Sequence, residues 1–161
     1  MNARQQLERL LALRERRQRK AEAALAEQRR HCQAEAEHID RLDAERTAHC
    51  QDFDRQEREW FDATLGAPMS SQALEQARQA IDGHYQRQAE LDAQRQTADR
   101  EHQRQLTECD LRASEWARRV RARQALETLL ERKRSSERRA DEGREELELE
   151  DVASSTPRGW C

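Results

Sequence analysis

His31, Cys32, His102 and Cys109 are the residues whose types first suggest chemistry. Two imidazoles and two thiols are a zinc-like donor set, and a chain folded back on itself brings them near one another. Their spacing lacks the short paired steps of a zinc motif, and His or Cys on a helical seam is ordinarily a tolerated core residue, so no metal is expected. No Gly-rich phosphate loop, GxSxG, HExxH or paired-Cys motif occurs elsewhere. No catalytic residue and no cofactor is therefore assigned, and an enzyme is not expected. What remains is charge: "LRERRQRK" puts five basic side chains into the seven positions from Arg14 to Lys20.

The elements that carry these residues follow from composition. The 161 residues are 35% hydrophobic and 39% charged, with only three Trp, one Tyr and two Phe, too little aromatic bulk for a layered globular core. Disorder is the competing reading, but acids and bases nearly balance at net −3 and the apolar residues recur periodically. From residue 1 to 65 there is no Gly or Pro, while Ala, Leu, Glu, Gln and Arg dominate, which predicts one long helix. "LGAPMSS" breaks it: Gly66 suits a left-handed helix end, Pro68 cannot continue the helix, and Ser70 or Ser71 can cap the next. A second helix is predicted over about 71–139. Gly143 and the acidic "EELELED" mark its frayed end, and 144–161 is expected to be a flexible tail. Gly83 is the flaw inside helix 2, either a bend or a place where a bulky facing side chain comes close.

A seven-residue register places Leu11, Gln18, Leu25, Cys32, Ile39, Arg46, Phe53 and Trp60 on one seam of helix 1. Leu7, Ala21, Leu42 and Ala63 supply its second position. Helix 2 keeps a 3,4 spacing through Leu74, Ala77, Ile81, His84, Gln88, Leu91, Arg95 and Ala98, then takes two steps of four to His102 and Leu106, a stutter. The short link favours an all-α, antiparallel two-helix coiled-coil hairpin folded about Ala67 or Pro68. In that register Trp60 meets Leu74, Phe53 meets Ile81 and Tyr85, Leu42 meets Leu91, Leu25 meets Leu106 and Cys109, and Leu7 meets Leu129 and Leu130. Arg46 with Gln88, and Cys32 with His102, are its weak layers.

Net charge is +5 over residues 1–30, −9 over 31–111, +6 over 112–139 and −5 over 140–161. The fold brings Arg118, Arg119, Arg121 and Arg123 beside Arg14, Arg16, Arg17, Arg19 and Lys20, a two-helix basic collar at the terminal end opposed to an acidic loop end. The bland reading of each arginine is a solvated face held by i,i+4 pairs. The collar as a whole calls for a negatively charged partner. Nucleic acid fits poorly, because Glu15 and Glu22 interrupt the run and no aromatic lies beside it. Membrane binding fits worse, since no broad apolar face accompanies the basic one, and no apolar stretch is long enough to span a bilayer. Four unpaired cysteines and no secretory leader suit the cytoplasm. Trp60, Phe61 and Tyr85 gather near the loop end, and adjacent Trp60 and Phe61 cannot both face inward, which leaves Phe61 as a contact for a partner.

"LERLLALRERRQRKAEAALAEQRR" and "IDRLDAER", on a hairpin of this length, resemble the central stalk proteins of type III secretion, the flagellar FliJ and injectisome YscO family. The likeness spans about residues 3–139. It implies a cytoplasmic, non-catalytic stalk, a monomer, associated peripherally with the secretion apparatus at the inner membrane. Its terminal end would enter the hexameric export ATPase, with the nine collar residues facing acidic ring loops. Trp60, Phe61 and Tyr85 would face the export-gate protein or secretion chaperones. The alternative is a generic cytoplasmic coiled-coil adaptor or chaperone that grips a client along its groove.

Overall fold

A computed structural model describes residues 2–155 and 159. It contains two helices, α1 (Ala3–Thr64) and α2 (Ser71–Ser155), and among the described residues no strand. Asn2 and Gln5 open α1 as a reciprocal cap: the Gln5 N–H donates to Asn2 Oδ1 at 2.9 Å and the Asn2 N–H to Gln5 Oε1 at 3.3 Å. Ser70 caps α2, accepting the Ala73 N–H at 3.1 Å. Gly66 does not use the left-handed conformation expected of it, for no glycine or other described residue has positive φ. Thr64 Oγ1 instead donates to the Phe61 carbonyl at 2.8 Å in the last turn of α1.

Residue numbers that rise along α1 meet numbers that fall along α2, so the helices pair antiparallel. The chain divides into two compact units. In the loop unit, Leu25–Arg112, Arg46 pairs with Asp92 at 3.2 Å, Asp43 with Arg95, and Glu45 with Arg87. In the terminal unit, Met1–Ala24 with Ala113–Cys161, Arg4 pairs with Glu137 at 3.8 Å and Glu8 with Arg134 at 3.4 Å.

The loop unit holds most of the core: Ile39, Leu42, Leu91 and Ala98 form one buried cluster, with Leu25, Phe53 and Ala77 buried as well. Among the described residues of the terminal unit, Leu126 and Leu130 are the buried apolar side chains. The expected register holds for Leu42 with Leu91 and differs at Leu74 and Leu106. Phe53 stacks on His84, with ring centroids 3.8 Å apart and planes 7° from parallel, while the Tyr85 ring lies edge-on to His84. Leu74 is exposed and so does not seal the layer at Trp60. Leu106 is also exposed; Gln105 takes its place on the seam and the two steps of four fall at Gln105, Cys109 and Ala113. A polar pair decides this: buried Gln28 donates from Nε2 to the Gln105 carbonyl at 3.0 Å and to its side-chain oxygen.

Two further expectations are corrected. The acidic segment is not a flexible tail from residue 144: α2 continues without a break through Gly143 to Ser155, carried by its run of Glu and Leu. Trp160 and Cys161 lie outside the described residues. Gly83 also sits in continuous helix, and a Cβ placed there meets nothing within 4 Å, so no bulky neighbour requires it. Gly83→Ala should therefore stabilise the hairpin by about 1 kcal/mol, read as a higher thermal midpoint by circular dichroism. An unchanged or lower midpoint would show that the helix needs a glycine there.

Candidate partner-binding surfaces

The zinc-like set does not assemble. His31 Nε2 lies 3.4 Å from Glu27 on an exposed face, and among the described residues no three His, Cys, Asp or Glu converge as metal ligands. Cys32 and Cys109 do meet across the loop unit, both half-buried; burial pushes the Cys32 thiol up, and the neighbouring Cys109 adds to the shift. His102 Nδ1, His84 Nδ1 and Trp116 Nε1 are buried with no hydrogen-bond partner among the described residues.

The nine collar residues divide by what they touch. Arg14 reaches across to α2, its Nη1 donating to the Ala122 carbonyl at 2.6 Å. Arg118 and Arg119 share Glu115 at 2.6 and 2.7 Å. Arg123 donates to Gln18 and pairs with Glu127. Arg14 and Arg123 thus tie the two helices together, while Arg118 and Arg119 are paired on the surface of α2 itself. Arg16, Arg17, Arg19, Lys20 and Arg121 are exposed, and no carboxylate pairs with them among the described residues. Sequence periodicity could not sort the two groups, because the sorting depends on the reach of each side chain to a particular acceptor.

The ion pairs leave a titration signature. Glu115 is held below the ordinary carboxylate range by its hydrogen bond to Arg118, and Glu8 by its hydrogen bond to Arg4. In the loop unit Arg30 does the same for Glu27, and Arg104 for Glu101. A carboxylate whose folded pKa is depressed contributes stability fully above its unfolded pKa, near 4.3 for Glu, and loses it as pH falls through the depressed value. What these pairs add to the thermal midpoint should thus be constant above about pH 5 and be lost below about pH 4, a modest drop because the pairs are exposed. A midpoint that rises on acidification would contradict this.

At the loop end, Trp60 is half-buried and edge-on to Phe53, with ring centroids 6.1 Å apart. Phe61, one residue on, is 67% exposed. Trp60, Phe61 and Met69, with Asp54, Glu57 and Asp62, line an open groove of about 750 Å³. Tyr85 is 62% exposed but does not line it, its ring lying edge-on to His84 at 5.3 Å. The structure thus brings two of the three loop-end aromatics to one surface. No helix among the described residues is long and apolar enough to cross a membrane. No protein-family model, curated protein or solved structure matches the chain.

Proposed function

We propose that the protein is the non-catalytic stalk of a type III secretion export apparatus, its terminal unit entering the hexameric export ATPase and its loop unit meeting the export-gate protein or a secretion chaperone. The supporting observation is the set of five exposed cations, Arg16, Arg17, Arg19, Lys20 and Arg121, with no carboxylate partner among the described residues, in a unit whose described residues bury two leucines. Gathering like charge without a counter-surface costs stability, so the arrangement suits an acidic partner that supplies one. In this role the hairpin would hydrolyse nothing. It would bias ring subunits toward different nucleotide states and link their turnover to the gate, on the cytoplasmic side of the inner membrane.

The test is binding to, and stimulation of, a cognate export ATPase at low salt. Neither effect with correctly folded protein would overturn the stalk reading. The groove beside Trp60 and Phe61 favours a second reading, a coiled-coil adaptor or chaperone whose client docks at the loop end. Phe61→Ala should then abolish client capture, while charge reversal of the collar leaves it intact.

A further inference from the structure

Arg4 at the start of α1 already pairs with Glu137, so the last stretch of α2 has no α1 residue left to lie against. From Ala140 to Ser155 every residue except Gly143 is exposed, and seven carboxylates face a single cation, Arg144. Leu147, Leu149 and Val152 are each more than three-fifths exposed. A lone helix with that much apolar surface is short of a neighbour.

Its pattern states what the neighbour should look like. Glu142, Glu145, Leu149 and Val152 follow at steps of three, four and three, so they share one helical face. In the same unit, α1 carries Leu10, Leu13, Arg17 and Lys20 at identical steps, all exposed, with both cations unpaired among the described residues. Laid antiparallel, Val152 meets Leu10, Leu149 meets Leu13, Glu145 meets Arg17 and Glu142 meets Lys20. Laid parallel, each charge meets an apolar side chain.

That orientation identifies the occupant. The last stretch of α2 already runs antiparallel to its own α1, and folding it back at Gly143 would make it parallel, the mismatched alignment. We propose that residues 140–155 of one copy dock antiparallel on the Leu10–Lys20 face of a second copy. The two copies then point the same way, and each leaves its own acidic segment free for the next. The association is heterologous and open-ended, and the monomer is the dilute form. This inference does not rest on the stalk reading, and it is read on the protein alone, so the two can fail separately.

Sedimentation velocity of the full chain at low salt tests it. The expected result is a mass that climbs past the dimer as concentration rises and falls back in high salt. Glu142→Lys with Glu145→Lys, or Arg17→Glu with Lys20→Glu, should each weaken association roughly tenfold or more, with helicity unchanged. All four substitutions together should restore it. A monomer at every concentration, a closed dimer that grows no further, or a fourfold variant that stays dissociated would each overturn the proposal.

Discussion

Leu91→Ala is expected to melt the hairpin at a temperature lower by on the order of 10 °C or more. Leu91 is 1% exposed and sits in the cluster with Ile39, Leu42 and Ala98. Truncating such a leucine costs about 2–5 kcal/mol, because transfer energy is lost and a cavity remains. Two helices have no third element to close over that cavity, and the buried positions of the loop unit are few. Leu111→Ala, at a residue 61% exposed, is the matched control and should leave the stability within about 0.5 kcal/mol of wild type. Equal melting of the two variants would mean that the cluster does not hold the helices together.

On the proposed stalk role, reversing Arg16, Arg17, Arg19 and Lys20 to Glu should weaken binding to an export ATPase by about a thousandfold, at roughly 1 kcal/mol for each exposed contact. Wild-type affinity should fall steeply between low and high salt, and the variant's residual binding should lose that slope. The comparison that gives the result meaning is Arg118→Ala with Arg119→Ala. Those two guanidiniums already answer Glu115, so removing them should lower the thermal midpoint and reduce binding far less. Equal loss of binding from both sets would show that total charge, and not the unpaired cations, attracts the partner.

The helices and their break were legible because helix propensity is local: 65 residues free of Gly and Pro, then "LGAPMSS". The antiparallel pairing was legible at Leu42 and Leu91, where apolar residues on each seam admit one alignment. It was misread at Leu106. An apolar residue and its glutamine neighbour compete there for one inward position, and the outcome depends on Gln28, a residue 77 positions away in sequence. The helix through Ser155 was misread for a different reason. Gly143 and a dense run of carboxylates look like a terminus, whereas a Gly costs only about 1 kcal/mol and the residues around it favour helix. At the candidate surfaces the sequence could locate the arginines but could not separate those that serve the hairpin from those that face outward. That distinction lies in hydrogen-bond acceptors such as the Ala122 carbonyl, which leave no trace in residue type.

The Gln28 and Gln105 pair has a consequence for alignment. Slipping the hairpin by one seven-residue repeat would set Leu91 opposite Glu35 or His49 in place of Leu42, and the same step would part Gln28 from Gln105. In a slipped hairpin a backbone carbonyl would still face the Gln28 amide, but Ala98 or Arg112 would stand where the Gln105 side-chain oxygen accepts, leaving a buried N–H unmet at a cost of about 1–3 kcal/mol. The glutamine thus acts as a vernier mark, adding little to the strength of the pairing and fixing which graduation of one helix is read against the other.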